Sequence, residues 1–443
     1  MPGDKLWDEP PMDRRGAPVL FGRTWWSLAF VFCVYAYQGS VAGFALLALP
    51  NHHAALGAPA ADVAWHAVVV GLPWVLQPLW GPVVDRFGDF RMGRRRFWAA
   101  LAVAGSVAAV LLLLLVDDAP GAIGRTSLVL AAHSTAAALL DTAVDGMIID
   151  RVPPDGLGRA NACTRAGFVS GTAAGAALFA SVLPTHGLHA SAAVLAAAGA
   201  LLAVPMALVR EDERDAWFSL RRWPSAAPGG RPRMAAWRQF RRFLAPMLRR
   251  ESLTLIAFCL AVEGAVSVVQ LRTGLDLIQR RGWDAESLSR LQAGLGFASG
   301  TLGAFAVGWW SDRLGALRGL TAVLLLSAAV HAALAFLLAG GIASAAPLAT
   351  AMASALPVLI FVALAPAVMR ASRGPGAATR FALFMAALNL GSVSGNAVGG
   401  AVGEGLPLWT LVLGAGCVYA ACAAVARRPR LLFRRAVAGP ALG

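Results

Sequence analysis

The chain has little charge and almost no lysine. Asp, Glu, Lys and Arg make up 14% of its 443 residues, and Lys5 is the only lysine. Soluble domains carry roughly 25% charged residues, so a water-driven globular core is excluded. The cysteines (Cys33, Cys163, Cys259, Cys417 and Cys422) all fall in apolar segments, with no CxxC spacing. That excludes a disulfide framework and a thiolate metal site, and leaves packing. The seven histidines are scattered; His133, inside an apolar segment, is the one of interest, and no metal site is expected. There is no Walker-type glycine run, which excludes ATP-driven work. Neither a soluble-enzyme site nor a cofactor is expected. The first 24 residues are polar, and the first apolar run is too long for a signal h-region. No cleavable leader is expected.

What is present is hydrophobicity. Apolar residues are 58% of the sequence, with a mean hydropathy of +0.64. Apolar runs near 20 residues recur, and about 20 helical residues cross a bilayer core. The spacing predicts an all-α membrane protein of 12 helices. Six lie at 25–49, 62–84, 97–116, 126–149, 160–183 and 188–209. Six more lie at 252–276, 286–311, 318–340, 345–369, 377–403 and 406–426. The expected domains are an arm (1–24), a six-helix bundle (25–209), a polar linker (210–250), a second bundle (251–427) and a tail (428–443). Residues 234–248 of the linker could form an amphipathic surface helix.

The net charge of +14 raises nucleic acid as a partner, but the placement of the cations answers it. With both termini cytoplasmic, 32 of the 38 Lys and Arg fall in inside segments and three in outside loops. That bias fixes orientation and leaves no basic surface requiring nucleic acid. The implied partner is the bilayer.

Two repeats divide the chain. Gly81-Pro-Val-Val-Asp85-Arg86-Phe-Gly88 recurs as Gly308-Trp-Trp-Ser-Asp312-Arg313-Leu-Gly315, an offset of 227. Gly167, Gly171 and Gly175 in helix 5 recur as Gly391, Gly395 and Gly399 in helix 11, an offset of 224. Glycine at every fourth position lets helices approach closely. The sequence leaves open whether those contacts are static or sliding.

Two six-helix halves, each with an Asp-Arg turn after its second helix, resemble the major facilitator superfamily. Within it, Leu72-Pro73-Trp74, the run from Gly81 to Arg86, and Gly93-Arg94-Arg95-Arg96 resemble the muropeptide-permease (AmpG-like) branch, with its acetyl-CoA-transporter and siderophore-importer relatives. Tyr37-Gln38-Gly39, Asp141-x3-Asp145-x4-Asp150 and the start of helix 11 at Ala378-Thr379-Arg380 agree. The chain departs from the branch at Leu140 and Ile148, where its members carry Gln and Lys.

The resemblance implies a secondary active transporter of the bacterial inner membrane, proton-coupled and monomeric. It would move a muropeptide-, amino-sugar- or siderophore-like solute. The alternative is a non-transporting assembly factor for pigment or another membrane complex. Gly81, Asp85, Arg86, Gly93, Arg94, Arg95, Arg96, Asp312 and Arg313 are then the gating motif. Asp85 is expected to cap or pair across the ends of helices 2 and 11. The arginines are expected to pin the loop to carboxylates and anionic lipid.

A charge at the bilayer centre costs roughly 2.5–3.5 kcal/mol on insertion scales, so each needs a reason. Asp141 and Asp145 are one turn apart on helix 4, and Arg165 enters helix 5 from the same side; a cluster of the three is expected. Glu263, midway along helix 7, has no cation within a turn, and is a candidate proton carrier or substrate contact. Gln38 and Asn389 join these as cavity candidates. Arg272, Asp276 and Arg290 read as ion pairs at the outer end of helices 7 and 8.

Overall fold

The computed structural model describes residues 24–88, 90–117, 122–152, 157–208, 210–212, 214–222, 245–303, 306–307, 313, 315–372, 377–402 and 405–432. The arm, residues 234–244 of the possible surface helix, Asp312 and the last eleven residues lie outside the described residues, as do the side chains of Asp85 and Arg86; the end of that expected helix, Ala245–Leu248, is a 3-10 turn.

Ten segments are long and apolar enough to cross a membrane. The longest is two helices joined at Gly187, and a helix over 285–303 is the remaining one. Among the described residues the fold is therefore twelve membrane helices with no sheet. They are α1 (24–55), α2 (60–86), α3 (96–115), α4 (Ile123–Arg151), α5 (157–186) and α6 (188–208). Then come α7 (250–280), α8 (285–303), α9 (Ala316–Ala339), α10 (Ala345–Ser372), α11 (Ala377–Val402) and α12 (Leu408–Ala426).

Prolines set the irregular points. The first helix, expected over 25–49, runs past Pro50 to Ala55. A proline lacks the N–H of the helical ladder, and a π turn at Phe44–Ala48 just before it, with Leu49 N–H bonded to Phe44 O, re-spaces the bonds. In α2, Pro78 falls in a 3-10 turn at Gln77–Leu79 that breaks the helix. Helix 5, expected over 160–183, continues through Pro184. The chain reverses at Gly187, whose φ of 79° favours glycine.

The described chain divides into two compact units. One comprises residues up to Leu49 with Leu79–Gly230, the other Pro50–Pro78 with Arg231–Gly443. By packing, residues 50–78 thus group with the second half of the sequence rather than with the expected bundle at 25–209. In the first unit α1 packs on α5, α3 on α4, and α3 on α6. In the second, α7 packs on α11, α9 on α10, and α9 on α12, while α2 lies along α11. The three matched pairs repeat the internal duplication read from the sequence.

The glycine stripes explain the closest pairs. A methyl on Gly167 would lie 2.5 Å from the carbonyl oxygen of Phe32, and methyls on Gly171 and Gly175 would collide with those of Ala36 and Ser40. From the other side, Gly39 and Gly43 face the carbonyls of Phe168 and Thr172. In the second unit a methyl on Gly391 would be 2.7 Å from Leu260 O, and one on Gly395 would strike Gly264 O. Gly399 is looser: its nearest neighbour is a leucine methyl, Leu271 Cδ2, at 3.1 Å. Backbone meets backbone at these crossings, so dispersion rather than hydrophobic burial holds them.

Candidate functional site

The acidic helix α4 places its carboxylates against α1 and α5 inside the first unit. Tyr35 Oη donates to Asp145 Oδ1 at 2.6 Å. Asp141 and Arg165 lie within electrostatic reach of both. The expected Asp141–Asp145–Arg165 cluster is thus brought together, with Tyr35 added. Tyr35 is buried, Asp141 half-buried, and Asp145 and Arg165 exposed on the unit. Gln38, one turn along α1, is 3% exposed, and its amide N and O have no hydrogen-bond partner among the described residues. A buried amide left unmatched marks a place for water or ligand.

A second polar set lies deeper in the same unit. Tyr37 Oη is 2.8 Å from Ser106 Oγ, which is 2.9 Å from His133 Nδ1. All three are buried and link α1, α3 and α4. His133 is thereby satisfied, as a structural histidine would be.

In the second unit Glu263 is half-buried on α7. Among the described residues it forms no ion pair or hydrogen bond. Its neighbours are weakly polar: Cys259 on the same helix and Tyr419 of α12 are within electrostatic reach. One turn further, Ser267 Oγ donates to Ser392 Oγ at 2.9 Å and ties α7 to α11. Asn389 has a task elsewhere, since its Nδ2 donates to Trp74 O at 3.2 Å. Pro78, four residues after Trp74, has no N–H for that carbonyl, which accepts instead from the Leu76 N–H and from Asn389.

Residues 50–78 carry further polar ties within this unit. Asn51 Nδ2 donates to Ser289 Oγ at 2.8 Å and Gln292 Oε1 at 2.9 Å, all buried. Gln279 Nε2 donates to Ala58 O at 2.8 Å and lines a cavity of about 810 Å³ with Trp283. Of the expected outer ion pairs, Asp276 accepts from Arg281 Nε at 2.8 Å and sits 4.0 Å from Arg280. Arg290 pairs with Glu286 one turn back in its own helix, at 2.5 Å, rather than across to Asp276. Arg272 is buried on α7.

Carboxylates sit around the first charged turn. Glu211, just past α6, accepts the backbone N–H of Arg95 at 3.0 Å and of Arg96 at 2.9 Å. It caps the start of α3, where orphan N–H groups favour an anion. Arg95 Nε reaches Asp150 at 3.1 Å, and Arg151 reaches Asp212 at 2.8 Å. The buried Arg96 guanidinium binds the carbonyls of Met206 (2.9 Å), Met92 (3.2 Å), Ala216 (3.1 Å) and Trp217 (2.5 Å). Gly93, at φ 117°, leaves room for Asp215 and Glu211: a methyl there would be 2.8 Å and 3.0 Å from their oxygens. Burial, then Glu211 beside it, pushes the Asp215 carboxyl up to about 6. Asp212 is held below its ordinary range, chiefly by the N–H of Arg214. Arg94 and Arg313 are exposed, and Gly81 faces open space.

Residues 28–373 match the family described as Major Facilitator Superfamily. The chain belongs to the major facilitator superfamily. No curated protein matches it. Among solved structures it is similar to a mutant form of the nucleoside transporter NupG, at 14% identity and TM-score 0.64, covering 90% of this chain and 98% of that one. It is also similar to a POT family transporter in complex with 5-aminolevulinic acid, at 13% identity and TM-score 0.66, covering 94% and 99%. These likenesses show the fold alone; membership of the superfamily, together with the many apolar helices, makes the chain a multi-pass membrane transporter rather than an enzyme.

Sequence reasoning missed Tyr35, Glu211 and Asp215. The signals were available. Tyr35 is one of three tyrosines in the chain, set one turn before Gln38. Glu211, Asp212, Glu213 and Asp215 form an acidic run inside an otherwise basic linker.

Proposed function

We propose that this superfamily member is a proton-coupled permease of the bacterial inner membrane, with both termini cytoplasmic. It moves a small organic solute by alternating access. The carrying observation is the contrast between carboxylates: Asp145 has Tyr35 beside it and Arg165 in reach, whereas Glu263 has no partner among the described residues. Charged side chains that share an exposed patch on membrane helices do not face lipid, because the penalty is too large; they belong on the wall of a water-filled cavity. Asp141, Asp145 and Arg165, with the unmatched amide of Gln38, form the solute- and water-facing wall in the first unit. Glu263 is the proton carrier in the second.

The substrate classes remain those implied by the AmpG-like turn: an amino-sugar-bearing wall fragment or a siderophore. The absence of polar groups at Leu140 and Ile148 favours the less sugar-like of the two. Reconstituted protein in vesicles, given an inward proton gradient, tests the reading with a muropeptide fragment and a hydroxamate siderophore as probes. Accumulation of either, abolished by a protonophore, supports it. Equilibration without accumulation removes proton coupling. Folded protein that passes neither points to the assembly-factor alternative.

A further inference from the structure

The stretch after α6 is built like a membrane-surface anchor. Within four residues Trp217 is 47% exposed, Phe218 72% and Leu220 67%. Arg214, Arg221 and Arg222 flank them, all exposed. The stretch is fixed in place: Arg96 of α3 grips the carbonyls of Ala216 and Trp217. Arg91 N–H donates to Arg221 O at 2.9 Å, and Ala216 N–H to Arg91 O at 2.7 Å. Three large apolar side chains held rigidly in water would be unfavourable without a cover.

Two observations identify the cover. The first is continuity with the first turn of a membrane helix. The Arg222 guanidinium lies over Phe87 and Phe90, 5.5 and 5.1 Å from their ring centres. Phe90 stacks on Phe97 of α3 at 3.5 Å and meets Trp98 edge-on at 6.4 Å. Aromatic rings at that level form the headgroup belt of membrane proteins. The second is charge: within 214–222 the exposed charged side chains are Arg214, Arg221 and Arg222, Asp215 being buried against Arg96, and exposed cations suit anionic lipid rather than a neutral apolar surface.

We infer that residues 214–222 dock into the headgroup layer of the cytoplasmic leaflet and select anionic phospholipid, with Trp217, Phe218 and Leu220 inserted and Arg221 and Arg222 on the phosphates. The inference uses the proposed orientation, which an impermeant thiol reagent applied to intact cells checks separately.

The test places an environment-sensitive thiol dye on Phe218→Cys in the full chain, with the signal of the labelled parent protein subtracted. The protein is reconstituted into vesicles containing brominated phosphatidylglycerol or brominated phosphatidylcholine. Quenching about twofold stronger with the anionic lipid is expected, and Arg221→Ala with Arg222→Ala should erase the difference. No quenching by either lipid, or equal quenching by both in the otherwise native chain, overturns the inference. Should Phe218→Cys fold poorly, Leu220→Cys gives the same readout.

Discussion

In the first unit, the acidic side chains inside the helices come with partners; in the second, Glu263 comes with none among the described residues. The scaffolds are otherwise alike: α1 on α5 and α7 on α11 cross through glycines whose added methyls would meet carbonyl oxygens. The same duplicated framework thus carries two kinds of charge. Asp145 has Tyr35 bonded to it and Arg165 in reach; Glu263 has no hydrogen bond or ion pair among the described residues, which is why the proposed proton carrier is Glu263. The lesson is that packing was kept between the halves while polarity diverged, and function is read from the divergence.

The largest effect should come from breaking what the units share. Gly171→Val and Gly395→Val each force a side chain into a backbone oxygen. Each should destabilise by about 3 kcal/mol, at the upper end for overpacking, and abolish monodisperse protein in detergent. Gly399→Ala meets only a movable leucine methyl and should change the thermal midpoint little. Tolerance of Gly395→Val would mean that the two crossings are not equivalent.

Next come the substitutions that separate the units. Asp145→Asn weakens the match to Tyr35 and Arg165 and should cost about 1–3 kcal/mol. Glu263→Gln removes no partner among the described residues and should stay within about 0.5 kcal/mol of the parent. Thermal unfolding of both variants in one detergent compares them. Equal losses would erase the distinction between a matched and an unmatched carboxylate. Tyr35→Phe, which deletes the 2.6 Å bond alone, should cost about 1 kcal/mol, less than Asp145→Asn.

The smallest effect concerns the cytoplasmic clamp. The Asp215 carboxyl is raised to about 6 by burial and Glu211, above its ordinary value. A raised carboxyl favours the folded state when protonated. Its contribution is fully present below the unfolded value and is lost as pH rises through about 6. Asp215→Asn should therefore flatten the fall in thermal midpoint between pH 5 and pH 7.5 (both ordinary buffer values, chosen about one unit or more either side of 6). An unchanged slope would show that Asp215 does not titrate there.

Much of the fold was legible because membrane helices announce themselves by length and apolarity, and because the arginines sort by side. The glycine stripes were legible for the same reason: a period of four on one face has few other uses. The Asp141–Asp145–Arg165 cluster followed from helical spacing. Tyr35 did not, because which face of α1 meets α4 depends on the Gly39–Phe168 and Gly43–Thr172 contacts with α5, a tertiary fact. Glu211 was hidden inside a linker read as one polar segment, whereas its first residues are a cap for α3. Asn389 reads as a cavity group in the sequence; its bond to Trp74 O is a tertiary contact at a carbonyl whose i+4 residue, Pro78, has no N–H to give. The grouping of residues 50–78 with the second half is a property of packing that no local pattern encodes.

The central claim is that Glu263 carries the coupled proton. The measurement is solute flux in vesicles by two protocols on Glu263→Gln: accumulation under an imposed proton gradient, and counterflow exchange without one. Gln holds the neutral state permanently, so gradient-driven accumulation should vanish while exchange continues near the parent rate. A Glu263→Gln protein that still concentrates solute under the gradient would contradict the claim and move the proton to Asp141 or Asp145.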